Sequence, residues 1–242
     1  MNNFVFEPAA PASLAIDNEV VRFPLRRIFC VGRNYAAHAR EMGKDPDREA
    51  PFFFTKPADA VVDTGSAIPY PPETRDFHYE IELVVAIGRD GSDIPAAAAL
   101  DHVWGYGVGI DLTRRDLQLE ARDKGRPWDW GKAFDLSAPC APLRPVATVG
   151  HPDSGRIWLA VNGKVRQSAD LSELIWNVPE IISILSRSMS LKRGDIIMTG
   201  TPAGVGAIVA GDKVTGGIDG LGEIAIDIVA GPSAGRRARS AA

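Results

Sequence analysis

Cysteine is scarce in this chain, which limits the kinds of site that the chain can hold. Cys30 and Cys140 are its only two cysteines in 242 residues, and neither lies in a CxxC pair or beside a pair of histidines. A structural zinc site needs more cysteine or histidine ligands at closer spacing, and a disulfide framework needs more cysteines. We therefore expect two ordinary buried thiols.

Long apolar runs and an excess of positive charge are also missing. No stretch approaches the roughly 18 apolar residues of a membrane-spanning helix, and the N-terminus lacks the basic start and apolar run of a signal peptide. The formal net charge is −4, which does not favour binding to nucleic acid or to an anionic membrane. These absences predict a cytoplasmic protein that binds neither.

Strand signals outnumber helix signals, and the two do not alternate regularly. Asn162-Gly163 supplies the two positive-φ residues of a tight hairpin turn. Strands are predicted at 25–31, 79–87, 103–112, 157–161, 164–168, 195–198 and 223–229. Helices are predicted at 35–42, 95–100, 113–124 and 179–187. This pattern predicts a β-rich α+β fold.

The segment His78–Ile87 carries two glutamates on one face of a predicted strand. Because strand side chains alternate, Glu80 and Glu82 share their face with Val84 and Ala86. That face continues as apolar surface, so the strand is expected to be covered on both sides. Two covered carboxylates repel each other and lose hydration unless a cation joins them. An edge strand with both glutamates in water is the alternative.

Asp111 ends the strand predicted at 103–112 and offers a third carboxylate. Glycines at alternate positions of that strand leave one face bare for a neighbouring strand or a ligand. With Glu80 and Glu82, Asp111 would form an all-oxygen site that suits Mg²⁺ or Mn²⁺. As an alternative or additional role, Asp111 would cap the helix that follows.

Two further pairs have helical spacing. His38 and Glu41 lie three residues apart, so Glu41 can orient His38 as a general base. On spacing alone, a solvated helix face is the commoner explanation. Arg115 and Gln118 lie one turn apart after Asp111, where they either clamp a substrate carboxylate or remain solvated.

Seven stretches, in order, resemble the fumarylacetoacetate hydrolase family over nearly all of residues 25–230. They are GRNYAAHAREMG (32–43), FFFTKPADAVV (52–62), HYEIELVVAIG (78–88), GYGVGIDLTRRDLQ (105–118), GKAFD (131–135), VNGKVRQ (161–167) and GDIIMTGTPAGVG (194–206). The resemblance implies a mixed, rolled β-sheet with short peripheral helices, usually in a homodimer. We expect a catalytic domain at 25–230, a small N-terminal segment at 1–24 and a flexible tail at 231–242.

The resemblance also assigns roles to single residues. It implies metal ligands at Glu80, Glu82 and Asp111, with Mg²⁺ or Mn²⁺ as the cofactor. It favours the catalytic interpretation of the His38 and Glu41 pair. It places Lys132 near a developing oxyanion, and the remaining candidates are substrate-binding residues: Arg33, Tyr35, Lys56, Arg115, Gln118 and Thr201.

The activity that the resemblance implies is metal-dependent hydrolysis of a carbon–carbon bond in a 2,4-dioxo acid. REAPFFFTKPADAVV and DLTRRDLQLEARDKGRPWDWGKAFD resemble the family members that act on fumarylpyruvate in gentisate-type aromatic breakdown. The alternatives within the family are an acylpyruvate hydrolase, an oxaloacetate decarboxylase and an isomerase. A non-catalytic binding protein with the same fold is a further alternative, which the presence of every ligand and base candidate argues against.

Overall fold

The structure is a computed structural model that describes residues 4–41 and 49–231, apart from the side chains of residues 39–41. The strands in these residues are β1 Ser13–Ala15, β2 Arg22–Pro24, β3 Arg27–Gly32, β4 Phe52–Lys56, β5 Val61–Asp63, β6 Ala67–Pro69, β7 Phe77–Tyr79, β8 Ile81–Ile87, β9 Val103–Ile110, β10 Thr113–Arg114, β11 Ala138–Cys140, β12 Arg144–Pro145, β13 Arg156–Val161, β14 Lys164–Asp170, β15 Asp195–Met198, β16 Gly206–Ala207, β17 Lys213–Ile218 and β18 Gly222–Val229. The α-helices are α1 Ala36–Glu41, α2 Arg115–Asp123, α3 Asp129–Lys132, α4 Val146–Val149 and α5 Val178–Ser188. Short 3-10 helices span Ala58–Ala60, Ala96–His102 and Leu171–Glu173.

Two sheets form most of the molecule. The larger is a curled mixed sheet in the order β4-β3-β15-β8-β9-β11-β5, with β12 also paired to β9. Within it β15 runs parallel to β3, and β11 parallel to β5, while the other pairs are antiparallel. The second sheet has the order β14-β13-β17-β18-β6. Together with the few short helices, these sheets confirm the predicted β-rich α+β fold.

Strand β8 separates two hydrophobic cores. The odd-numbered residues from Ile81 to Ile87 belong to the larger core. Val84 and Ala86, on the other face, belong to the second core, which also includes residues of the β1–β2 hairpin. Every residue of β8 is buried. The prediction that this strand is covered on both sides is confirmed, and the edge-strand alternative is wrong.

The strand predicted from residue 79 to residue 87 is interrupted at Glu80. Strand β7, before the break, belongs to a separate three-stranded sheet with β10 and β16. Strand β8, after the break, belongs to the curled sheet. The backbone N–H of Asp111 donates a hydrogen bond of 2.8 Å to the carbonyl of Glu80. Glu80 therefore lies where two sheets meet, beside the end of β9.

The segment after β9 differs from the prediction. Thr113 and Arg114 pair with β7 as strand β10, so the helix predicted at 113–124 starts only at Arg115. Its N-cap is Arg114, and the alternative of Asp111 as a helix cap is wrong. The bare glycine face of β9 is covered by protein, because a Cβ on Gly105 would lie 2.4 Å from the carbonyl oxygen of Arg144.

Other local predictions fared unequally. The hairpin turn is confirmed, with Asn162 and Gly163 at φ values of 50° and 77°. Strand β17 was not predicted, because its two adjacent glycines hide any alternation of apolar residues. Both cysteines are free and buried, as expected. Residue 42 of the first predicted helix and residues 232–242 of the predicted tail lie outside the described residues. Among the described helices, none is long and apolar enough to cross a membrane.

Candidate active site

Three buried carboxylates meet at the break between β7 and β8. Glu80 lies at the break, Glu82 is the second residue of β8, and Asp111 follows β9. The antiparallel register pairs Glu82 with Gly109, two residues before Asp111. One oxygen from each carboxylate lies within 4.8 Å of the others. The fold thus brings together the three side chains that the sequence predicted as ligands.

Three cationic side chains surround two of these carboxylates. Lys132 Nζ donates to Glu80 Oε2 at 2.8 Å and to Asp111 Oδ2 at 2.6 Å. A guanidinium N–H of Arg115 donates to the other oxygen of Glu80. Lys56 Nζ lies 2.8 Å from Asp111 Oδ1. The angles of this ion pair do not fit a hydrogen bond. Asp111 Oδ1 is therefore buried and accepts no hydrogen bond from a described residue.

The surrounding charges fix the protonation of this cluster. Burial alone would raise the pKa of Glu80, but Lys132 and Arg115 bring that pKa well below its ordinary value. Burial alone would lower the pKa of Lys132, but Asp111 and Glu80 raise it instead. Glu80 is therefore a carboxylate and Lys132 an ammonium group at neutral pH.

Glu82 forms no ion pair with a cation among the described residues. The backbone N–H of Gly200 donates to its Oε2 at 2.7 Å, and no other described residue gives Glu82 a hydrogen bond. Burial raises its pKa well above the ordinary value, and the neighbouring Asp111 and Glu80 raise it further. An incompletely bonded buried carboxylate costs stability unless a positive charge reaches it.

The donor set fits a hard divalent cation. It consists of carboxylate oxygens alone, which Mg²⁺ and Mn²⁺ accept as ligands. Asp111 Oδ1 lies against Lys56 Nζ but accepts no hydrogen bond from a described residue, and Glu82 has a single donor among those residues. Both carboxylates therefore have lone pairs left for a further positive partner. The three carboxylates can hold a metal ion.

A small cavity of about 30 Å³ opens beside the carboxylates. Eight of the residues predicted for the site line it: Arg33, His38, Glu80, Glu82, Arg115, Gln118, Lys132 and Thr201. His38 is 6% exposed, so a histidine on a solvated helix face is excluded. Arg115 is also buried and donates to Gln118, which excludes the solvated alternative for that pair.

The remaining candidates do not line this cavity. Asp111 and Lys56 lie behind it, where Lys56 Nζ donates to the carbonyl oxygens of Leu112 and Lys132. Tyr35 is buried, and its hydroxyl has no hydrogen-bond partner in residues 4–38 and 49–231. The side chain of Glu41 lies outside the described residues, so its pairing with His38 stays a prediction.

Two residues that support the site were not predicted. Asn34 holds the chain after β3, because its amide donates to the carbonyls of Trp176 and Thr199. Gln167 donates to Thr201 Oγ1 at 2.8 Å and accepts from the backbone N–H of Ile81. Both lie within stretches that resemble the family, but amide side chains carry no charge or spacing that marks them as supports.

Aromatic walls of the cavity were also missed. Phe54 and Trp128 line it, with ring centroids 5.7 Å apart. Phe54 lies in a run of three phenylalanines that indicates a buried strand rather than a site. Trp128 lies in a short segment with too little periodicity to assign a face.

The chain matches known proteins along most of its length. A sequence model described as fumarylacetoacetate (FAA) hydrolase C-terminal matches residues 27–229. A fumarylpyruvate hydrolase from a Ralstonia species is 47% identical over 189 residues, which are 77% of this chain and 98% of that protein. An oxaloacetate tautomerase from Arabidopsis thaliana, FAHD1, mitochondrial, is 42% identical over 84% of this chain and 90% of that protein.

Solved structures give the same result. A crystal structure of fumarylpyruvate hydrolase from Pseudomonas aeruginosa, in complex with Mn²⁺ and pyruvate, superposes with a TM-score of 0.92 at 56% identity. The match covers 94% of this chain and all of the chain in that crystal structure. The matched family model spans the residues that hold the carboxylates, the cations around them and the cavity. This chain belongs to the fumarylacetoacetate hydrolase family.

Proposed function

We propose that this chain is a metal-dependent hydrolase that cleaves fumarylpyruvate, a 2,4-dioxo acid, to fumarate and pyruvate. The observation that carries the proposal is the buried triad of Glu80, Glu82 and Asp111, which opens on a cavity lined by His38 and Lys132. The relatives named fumarylpyruvate hydrolase, at 47% and 56% identity, support the choice of substrate.

The triad would hold Mg²⁺ or Mn²⁺. The ion would supply Lewis-acid polarisation of the substrate's C1 carboxylate and C2 oxo group. Lys132 and Arg115 keep Glu80 deprotonated and oriented toward the same point. Lys56 Nζ forms an ion pair with Asp111 at 2.8 Å.

His38 is proposed as the general base. It accepts a proton from a water molecule whose oxygen attacks the C4 carbonyl, and Glu41 is proposed to orient its ring. The positive charge of Lys132 is proposed to stabilise the oxyanion that forms at C4. The three N–H groups of Lys132 already donate to Glu80, Asp111 and Thr113. The C3–C4 bond then breaks with its electron pair on the pyruvate fragment, which takes up a proton at C3. Fumarate is the other product.

The other cavity residues are proposed to orient the substrate. Arg115 and Gln118 form one hydrogen-bonded unit beside Glu80. Thr201 presents a hydroxyl that Gln167 fixes in place. Arg33 lies at the mouth of the cavity, and Tyr35 is proposed to support the site from the core. Binding energy from such remote contacts places the C4 carbonyl for attack.

A second candidate is an activity on oxaloacetate. The relatives named oxaloacetate tautomerase, 42% identical in Arabidopsis thaliana and 43% in Homo sapiens, favour it. The same metal chemistry would serve an oxaloacetate decarboxylase, an acylpyruvate hydrolase or an isomerase. The adjoining cavity of about 520 Å³ favours a substrate with a longer acyl group.

The proposed setting is gentisate-type aromatic breakdown in the cytoplasm, with the protein as a homodimer. We propose residues 25–230 as the catalytic domain, with residues 1–24 as a small N-terminal segment and 231–242 as a flexible tail. Support for the dimer comes from five apolar residues that are at least 60% exposed and that a partner would cover: Phe4, Val5, Phe6, Val20 and Val21.

The test is a steady-state assay of the metal-stripped protein before and after Mg²⁺ or Mn²⁺ is added. The substrates are fumarylpyruvate, acetylpyruvate and oxaloacetate. We expect cleavage that returns with metal and is fastest for fumarylpyruvate. Faster turnover of oxaloacetate would move the protein to the second candidate, and no turnover of any of the three would contradict both.

A further inference from the structure

A second, larger cavity adjoins the one beside the carboxylates. The outer cavity has a volume of about 520 Å³, against about 30 Å³ for the inner one. The two share four lining residues: Arg33, Phe54, Trp128 and Lys132. The inner cavity has room for only a few atoms, so the rest of an extended substrate has to lie in the outer one.

Aromatic rings form the walls of the outer cavity. Phe52 and Trp128 meet edge to face with centroids 5.1 Å apart, and Phe54 lies 5.7 Å from Trp128. The ring of Phe52 lies directly against Gly32, where a Cβ would approach its Cζ to 2.0 Å. Any side chain at position 32 would displace this wall. Such rings favour a flat, unsaturated chain over a bulky saturated one.

Two arginines give the outer cavity its charge. Arg33 has a φ of 58°, an uncommon backbone conformation for a residue other than glycine. Its guanidinium carbon lies 5.3 Å from the centroid of the Phe52 ring. Arg126 lines the outer cavity but not the inner one. Neither guanidinium has a hydrogen bond or ion pair with a described residue, and Asp129 is the one carboxylate in the described lining.

The position of Arg126 distinguishes it from the other cations. Lys132 is held by Glu80 and Asp111 at the inner end, and Arg33 lies where the cavities join. Of these three, Arg126 alone lines the outer cavity and not the inner one.

Arg126 also lines a neighbouring surface cavity with Glu120 and Asp129, and its guanidinium forms an ion pair with neither of them. Glu120, which pairs with Lys124, lies within electrostatic reach of Arg126 but forms no ion pair with it. An arginine that forms no ion pair is well suited to bind a carboxylate.

We propose that Arg126, assisted by Arg33, binds the distal carboxylate of the substrate's acyl group and determines the preference for a dicarboxylic acyl chain. The planar –CH=CH– unit of a fumaryl group would then lie between the rings of Phe52, Phe54 and Trp128. This inference rests on the proposed function, because it assigns the far end of the substrate that the proposed reaction cleaves.

The experiment compares Arg126→Gln with the unmodified protein, both loaded with Mn²⁺. The readout is the ratio of kcat/KM for fumarylpyruvate to kcat/KM for acetylpyruvate, which lacks the distal carboxylate. We expect the ratio to fall about 10-fold, mainly through KM for fumarylpyruvate, because one charge-assisted contact is lost. Lys124→Gln is the matched control, since Lys124 is exposed, pairs with Glu120 and lines neither cavity.

An equal fall for both substrates, or an unchanged ratio, would overturn the inference. A fall of the same size in Lys124→Gln would reduce the effect to general surface charge and would also overturn it.

Calorimetric binding of fumarate and of crotonate, its analogue with one carboxylate, separates this inference from the proposed function. We expect the Mn²⁺-loaded protein to bind fumarate about 10-fold more tightly than crotonate, and Arg126→Gln to lose that preference. If neither dioxo acid is cleaved but Arg126 still determines the preference, the proposed function fails and the subsite stands. If fumarylpyruvate is cleaved but the two acids bind equally, the subsite is wrong.

Discussion

Two buried carboxylates on neighbouring strands have opposite surroundings. Asp195, at the start of β15, accepts hydrogen bonds from Arg26, from Arg27 and from the backbone N–H of Lys192. Glu82, on the adjacent strand β8, accepts one hydrogen bond within the described part of the chain, from the backbone of Gly200. Both side chains are almost wholly removed from solvent.

The difference separates a structural carboxylate, Asp195, from a proposed metal ligand, Glu82. Donors of the protein itself satisfy the carboxylate of Asp195, so that side chain does not need a metal ion or another ligand. Glu82 instead lies beside two further carboxylates. Burial raises the pKa of Glu82, and Asp111 and Glu80 raise it further. A buried acid of this kind is retained for what it binds rather than for the stability it gives.

The largest effect is expected from Glu82→Gln. The amide keeps the shape of the side chain but removes the ligand charge, so we expect Mn²⁺ affinity and kcat/KM to fall by more than about 100-fold. The metal-free protein should be no less stable than the unmodified one, because a neutral amide is easier to bury than a lone carboxylate. Calorimetric titration with Mn²⁺ and urea unfolding without metal measure the two. A clear loss of metal-free stability would contradict the ligand assignment.

Metal addition should separate the two carboxylates next. A ligand that binds only the folded state stabilises it by about 4 kcal/mol at a thousandfold excess over Kd. We expect Mn²⁺ to raise the melting temperature of the unmodified protein and of Asp195→Asn by similar amounts, and that of Glu82→Gln by much less. Equal shifts in all three proteins would place the ion elsewhere.

The sequence predicted the residues of the candidate site better than it predicted the fold around them. The sequence predicted the alternation of β8 and the three carboxylates Glu80, Glu82 and Asp111, because a glutamate face that continues into Val84 and Ala86 has few explanations. The sequence did not predict the break at Glu80, because that break depends on strands β10 and β16, which are distant in sequence and only two residues long. Local pattern shows which residues are unusual, but the pairing of strands decides where they meet.

Partners that act across long separations were also hidden. Nothing near residue 82 indicates that the N–H of Gly200 will reach Glu82, 118 residues later. Gly200 has a φ of 98°, and a Cβ there would lie 2.8 Å from the Cβ of Asn34. Glycine is therefore required by the conformation and by the close approach. A glycine-rich loop in the sequence predicts the freedom of the backbone but not its partner.

A smaller effect, and one of the opposite kind, is expected from Asp195→Asn. The substitution weakens two charge-assisted contacts, and we expect it to lower the free energy of unfolding by about 2 kcal/mol. Arg26 and Arg27 can turn to water, because their side chains are 46% and 32% exposed, which limits the loss. Turnover per folded molecule should stay within about twofold, since distant sites act independently. A strong fall in kcat would mean that the two carboxylates are coupled.

The smallest effects are expected from Arg26→Gln and Arg27→Gln taken singly. Each leaves Asp195 with the other guanidinium and with the N–H of Lys192, so we expect a loss of about 1 kcal/mol or less in urea unfolding. Arg27→Gln should cost slightly more, because Arg27 also donates to the carbonyl of Ser190. The double variant should lose more than the sum of the two, since only then is a buried carboxylate left without a cation. If the two losses simply add, Asp195 is solvated rather than completed by its arginines, and its contrast with Glu82 weakens.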